Sequence, residues 1–375
     1  MRPIQMVDLK QQYQKIKGEI DAAVLSVLES SAFINGPQVQ SFAASLASYH
    51  GVQHVIPCAN GTDALQIAMM ALGLKPGDEV ITPSFTFIAT AEVIALLQLT
   101  PVFVDVDPKT FCIDASLIEA AITNKTKAIV PVHLFGQAAD MEKIMSIAEK
   151  HNLYIIEDNA QAIGCDVNFS DGSSRKAGSI GHVGTTSFFP AKNLGAYGDA
   201  GAITTNDDAI ADQIRMIANH GQSKRYYHDL IGCNSRLDTL QASILEVKLR
   251  YLDQYIKARR EVALFYDETF KNQQNITTPF RASYSNHVFH QYTLLFEGID
   301  RDELIRFLAD NNIPVMIYYP VPSHKQKMFA KYNANVHLPV TDMLSEKVIS
   351  LPIHTEMDDE QLKVITSKIL EFANK

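Results

Sequence analysis

Between residues 54 and 205 the chain alternates short apolar, β-branched runs with segments of helical periodicity. That rhythm restricts it to a mostly parallel sheet with helices on both faces. The runs are HVIPCA, EVITP, PVFVDVD, AIVPVHLFG and LYIIED. Between them the spacing predicts helices from Thr62 to Leu72, through Ala91, from Ala115 and from Asp140. TTSFF and GAITT follow among Gly-rich segments and read as last strands that return by short turns. Two helices, from Asp8 to about Ser31 and from about Pro37 to Tyr49, precede the sheet.

From Arg236 to about Phe270 the helical pattern is almost unbroken. This is longer than the ~25 residues of an ordinary globular helix, which marks a junction between lobes. HVFHQYTLLF, a helix from Arg301, PVMIYYP and a helix from Asp359 then predict a smaller α/β lobe. At 375 residues the chain exceeds the ~250 to 300 at which one core stops growing. The expected division is a large domain, 1–245, and a small C-terminal domain, 246–375.

A formal charge of −9 argues against nucleic acid or anionic lipid as a partner and favours a small molecule. Cys58, Cys112, Cys165 and Cys233 form no CxxC pair, so neither a disulfide framework nor a metal site is signalled. No apolar run approaches the ~20 residues that span a bilayer. The first residues do not read as a secretory signal. By exclusion the expected location is the cytoplasm, with no membrane partner.

In an open α/β sheet, ligands bind beyond the carboxyl ends of the strands. LYIIED ends there in Glu157 and Asp158, followed by Asn159 and Gln161; TTSFF is followed by Pro190 and Lys192 and contains Ser187. A lysine amine forms a Schiff base with an aldehyde cofactor, and an acid at a pyridine nitrogen keeps that ring electron-accepting. CANGTDALQIA places Asn60, Gly61 and Thr62 where a turn opens a helix and suits a phosphate. PSFTFIATAE offers Phe85 and Phe87 as cover for a flat ring. Taken singly, surface exposure, helix capping and core packing explain each residue as well. Their joint order after successive strands points to chemistry.

These segments carry a resemblance. NGTDAL, PSFTFIATA, EDNAQAIG, SFFPAKNLGAYGDAGA, NHGQ and NSRLDTLQASIL resemble the DegT/StrS-type nucleotide-sugar aminotransferases along nearly the whole chain. The resemblance implies the aspartate-aminotransferase-like fold type I, a seven-stranded-type sheet with a smaller C-terminal α/β lobe, and pyridoxal 5′-phosphate as cofactor. It implies Lys192 as the Schiff-base lysine and proton carrier, Asp158 at the pyridine nitrogen and Gln161 at the ring hydroxyl. Gly61, Thr62 and Ser187 match phosphate positions and Phe87 the ring-stacking position. Asn234 matches a residue that reaches the phosphate in the neighbouring subunit, which implies a homodimer with shared active sites.

The implied substrates are L-glutamate and a nucleotide-linked keto-sugar, received in turn. GQSKRYYHDLIGCNSRLDTLQASILEVKL most resembles the subgroup that aminates the 3-keto position of UDP-2-acetamido-2-deoxy-hexuluronic acid. Arg236 or Arg225 is a candidate fork for the uronate carboxylate. His220, Tyr319 and His324 fall in segments that border the sugar site in relatives. Asn60, Asn159 and Ala200 depart from residues frequent in that family. The competing expectations are an aminotransferase for a dTDP-keto-6-deoxyhexose, a dehydratase or lyase using the same cofactor, and a non-catalytic regulatory homologue. Lys192 disfavours the lyase, whose known relatives carry histidine there.

Overall fold

The computed structural model describes residues 2–332 and 336–374. Helices α1 (Leu9–Ser30) and α2 (Pro37–His50) lead into β1 (His54–Cys58), α3 (Gly61–Ala71), β2 (Glu79–Pro83), α4 (Ala89–Leu96) and β3 (Thr100–Val104). Next come α5 (Ala115–Ile118), β4 (Thr126–Ile129), α6 (Met141–His151), β5 (Tyr154–Asp158) and a hairpin of β6 (Asp166–Asn168) and β7 (Ser174–Lys176). β8 (Val183–Ser187), β9 (Gly201–Thr205) and α7 (Asp208–Ala218) complete this layer.

The large sheet has the order β1-β9-β8-β5-β4-β2-β3. Strands β3, β2, β4, β5 and β8 pair in parallel, whereas β9 runs against both β8 and β1. The expected mostly parallel, seven-stranded sheet is therefore present. Its central strands are largely buried on both sides because helices cover both faces, and two clusters of buried side chains flank it.

The hairpin of β10 (Gln222–Lys224) and β11 (Tyr227–His228) precedes α8 (Thr239–Leu249) and α9 (Leu252–Phe270). The long helical stretch is thus two helices that meet at Arg250 and Tyr251. Periodicity could not reveal the break, because α8 is buried on nearly all sides, Lys248 included. β12 (Ile276–Thr277), β13 (Tyr292–Phe296), α10 (Arg301–Asp310), α11 (Pro339–Lys347), β14 (Val348–Leu351) and α12 (Asp359–Ala373) follow. β12, β13 and β14 form a three-stranded antiparallel sheet. A separate core joins this sheet to α9, α10 and α12, with Tyr266, Tyr292, Leu304 and Ile365 fully buried.

Two expected strands change. PVMIYYP is not a strand: only Met316 bridges to Ser350, and the segment crosses to the large sheet, where Tyr319 packs on Phe135. HVFHQYTLLF is strand only from Tyr292, because Phe289 takes a φ of +48° and bends the chain aside. No helix among the described residues is long and apolar enough to cross a membrane.

Candidate active site

The carboxyl ends of β1, β2, β5 and β8 lie at one edge of the sheet, and the chain that follows each lines a cavity of about 670 Å³. Gly61, Thr62, Phe87, Asp158, Gln161, Ser187, Lys192 and Tyr319 all line it. A larger cavity of about 820 Å³ lies beside α5 and α6. There Lys143 is paired with Asp140 at 2.7 Å and Glu142 accepts from the Ser170 amide at 3.2 Å, so the acid and amine chemistry belongs to the smaller cavity.

Successive residues of a strand face opposite sides, and this separates the two acids of LYIIED. Glu157 is fully buried and accepts from Nε2 of His133 at 2.8 Å and from the amides of Gly178, Ile180 and Gly181. Burial pushes its pKa up, but the His133 contact and these amides outweigh that and hold it below the usual glutamate range. It is a structural carboxylate that shapes the turn before β8. Asp158 faces the cavity: Oδ2 accepts from Oγ1 of Thr90 at 2.7 Å and Oδ1 from the Ala160 amide at 3.1 Å. A carboxylate held by two donors keeps its direction as well as its place.

Lys192 sits in the loop between β8 and β9. Its stem keeps some surface towards the cavity, while protein encloses the amine on its other sides. Burial lowers its pKa to about 8, with the charge of Asp158 opposing the shift. A free lysine amine there is half neutral near that pH, instead of near 10.5. Asn193, next in the chain, fixes the loop by donating to the Val288 carbonyl at 3.0 Å.

At the start of α3, Asn60 Oδ1 accepts from the Asp63 amide at 2.8 Å and the Asn60 carbonyl from Ala64. Among the described residues, the Gly61 and Thr62 amides make no hydrogen bond. They face the cavity at a helix N-terminus, where the peptide dipoles favour an anion. Glycine is needed at 61, since a Cβ there would stand 2.7 Å from Cβ of Ser187. Gln161 accepts from the Phe135 amide at 2.8 Å and donates to the Tyr319 hydroxyl at 2.9 Å, leaving one N–H free to donate. Phe87 is 55% exposed, an apolar face open to the cavity.

The other sequence candidates divide. Tyr319 lines the cavity. His324 lies behind it, with Nδ1 on Ser84 at 2.8 Å and Nε2 on Asp342 at 3.3 Å. It therefore braces the chain after β2 and does not line the cavity. Arg225, His220 and Asn234 are exposed, Arg236 is half-buried, and none lines the cavity. Sequence reasoning missed Thr86, Thr90, Asp199 and His290. Thr90 could have been found, because it stands one helical turn beyond Phe87 in PSFTFIATA.

Comparison with known proteins agrees with this geometry. The model of the DegT/DnrJ/EryC1/StrS aminotransferase family matches residues 14–370. A Pseudomonas aeruginosa protein, UDP-2-acetamido-2-deoxy-3-oxo-D-glucuronate aminotransferase, is 46% identical over 366 residues, 98% of this chain and 99% of the relative. A Geobacillus stearothermophilus protein named pleiotropic regulatory protein is 46% identical over 372 residues, 98% of each chain. The crystal structure of S. venezuelae DesV in complex with a ketimine intermediate superposes with a TM-score of 0.95 at 36% identity, covering all of both chains.

The fold is that of the fold type I aminotransferases, and pyridoxal 5′-phosphate is the cofactor. The cavity fits it. A low-pKa amine, a buried acid, a pair of helix-opening amides suited to an anion and an open aromatic face surround one space. The hydroxyl of Thr86, buried in the lining, has no partner among the described residues, as expected where a polar ligand completes the site. By its sequence, its sheet and these cavity residues, the chain belongs to the DegT/DnrJ/EryC1/StrS aminotransferase family.

Proposed function

We propose that the chain transfers an amino group from L-glutamate to the 3-keto group of UDP-linked 2-acetamido-2-deoxy-hexuluronic acid. We place this step in cytoplasmic synthesis of a cell-surface polysaccharide such as lipopolysaccharide. The meeting of Lys192 with Asp158 in one cavity carries the aminotransfer; the P. aeruginosa relative's named substrate supports the acceptor. When bound, the cofactor supplies an electron-accepting ring. Asp158 holds the proton on the ring nitrogen, and Gln161 orients the ring by its free N–H. Gly61, Thr62 and Ser187 hold the phosphate, and Phe87 covers the ring. Lys192 moves the proton at the substrate carbon, which requires an amine that is neutral part of the time.

The regulatory reading is favoured by the name of the G. stearothermophilus relative. The intact cavity favours catalysis here. Acceptor preference is tested by comparing kcat/KM for the UDP-linked 3-keto uronate, its analogue lacking the carboxylate and a dTDP-linked keto-6-deoxyhexose. The uronate should lead by roughly tenfold or more, and Arg236→Ala or Arg225→Ala should remove that lead. Equal or faster turnover of the dTDP sugar would overturn the acceptor assignment.

The active form in this reading is a homodimer with two shared sites. Its support is that Asn234, Arg225 and His220 stand outside this chain's own cavity, near Ile231 and Tyr226, which are 88% and 78% exposed. The division into lobes 1–245 and 246–375 belongs to the same reading, supported by the separate core of the small sheet, although 245/246 falls inside α8. Mixing inactive Lys192→Ala and Asn234→Ala subunits should restore about a quarter of the activity. Random pairing makes half the dimers mixed, each with one complete site. No recovery after verified subunit exchange would rule out sharing through Asn234.

A further inference from the structure

The irregular segment before β13 places a histidine at the site that nothing above uses. Phe289, at φ +48°, donates its amide to Nδ1 of His287 at 2.9 Å, and the two rings stack 3.9 Å apart. A bulky residue in the left-handed region persists only where its surroundings enforce it. Here they do. Nη1 of buried Arg259 donates to the carbonyls of Phe289 and His290 at 3.1 and 3.2 Å. The Gln291 amide donates to the Phe135 carbonyl at 3.2 Å. The contact from Asn193 to the Val288 carbonyl ties the segment to the lysine loop.

As a result His290 leaves the alternation of the strand and lines the cofactor cavity with Lys192. It is only 7% exposed, and its Nδ1 is buried without a partner among the described residues. Burial, followed by the charges of Lys192 and Arg259, holds its pKa well below 6.5, so the ring is neutral. The charges that act on it are those of Lys192 and Arg259, and Asp63, Asp158, Asp199, Tyr318 and Tyr319 line the same cavity. A buried ring nitrogen with no partner among the described residues, held by a strained and clamped backbone, is costly unless it serves the site.

We propose that His290 is a positioning residue for Lys192: once the amine is freed with pyridoxamine phosphate in the cavity, Nζ turns to the ring, and a nitrogen of the neutral imidazole accepts a hydrogen bond from it that directs the amine lone pair towards the reacting carbon. This rests on the cofactor reading given above. The ring is an acceptor and takes no proton in the cycle.

The test compares the full-length protein with His290→Phe, His290→Leu, His290→Asn and His290→Gln. Each is loaded with pyridoxamine phosphate, the form in which Lys192 is free. Pulse acetylation followed by peptide mass spectrometry gives the pH midpoint of Lys192, and steady-state assays give kcat and KM. Phe or Leu, whichever folds, should lower kcat by about 10- to 100-fold with KM within about twofold. The midpoint should also move to lower pH, because the ammonium loses an acceptor. Asn brings an amide oxygen to the place of Nδ1 and Gln to that of Nε2, and one of them should restore both quantities. An unchanged midpoint in the acceptor-free variant overturns the proposal, whatever its turnover. If the unsubstituted protein takes up no pyridoxamine phosphate, the cofactor reading itself fails, and this inference with it.

Discussion

Lys192→Ala should lower transamination by more than about 10⁴-fold, since it removes both the attachment point of the cofactor and the group that moves the proton. The fold should survive. Lys192 ends in the cavity and not in a core, and its loop is held by Asn193 to Val288 and by Lys248 Nζ to the Gly195 carbonyl. Thermal unfolding should therefore remain close to that of the unsubstituted protein while turnover vanishes. Turnover retained within about tenfold would remove Lys192 from the role assigned to it.

Asp158→Asn should keep the cofactor and lose roughly 10²- to 10³-fold in kcat. The amide nearly matches the carboxylate in size, and its oxygen can still accept from the Ala160 amide or the Thr90 hydroxyl. What disappears is the negative charge that keeps the ring nitrogen protonated. The same charge raises the pKa of Lys192 against the burial that lowers it, so in the variant a free Lys192 amine should titrate below about 8. Kinetics near those of the unsubstituted protein would show that Asp158 does not act on the ring.

Much of this site was legible because the rule that places ligands beyond strand ends needs only the strand ends. Asp158 and Ser187 close β5 and β8, Gly61 opens α3 after β1, and Phe87 follows β2. Lys192 and Gln161 lie a few residues beyond. What could not be read depended on the path of chain far away in sequence. His324 looks like a site histidine until Ser84 and Asp342 are seen to occupy its ring nitrogens. His290 reads as one polar residue in an apolar strand until the bend at Phe289 turns it to the cavity. β10 and β11, only three and two residues long, carried no signal strong enough to be singled out, whereas α7 was legible in its Asp207 cap and the helical spacing of Ala211, Ile214 and Ala218 but was not singled out. Asn60, Asn159 and Ala200, the three departures from the family pattern, serve structure. Asn60 caps α3, Asn159 donates to the Ala177 carbonyl, and Ala200 packs fully buried in the core.

The most direct measurement is the absorption spectrum of the purified protein with pyridoxal 5′-phosphate, before and after L-glutamate is added. A visible band of lysine-bound cofactor, absent in Lys192→Ala, should give way on adding glutamate to the shorter-wavelength absorption of pyridoxamine phosphate, with release of 2-oxoglutarate. A band that no amino donor changes would contradict the aminotransfer, and the absence of any band would contradict the attachment of the cofactor to Lys192.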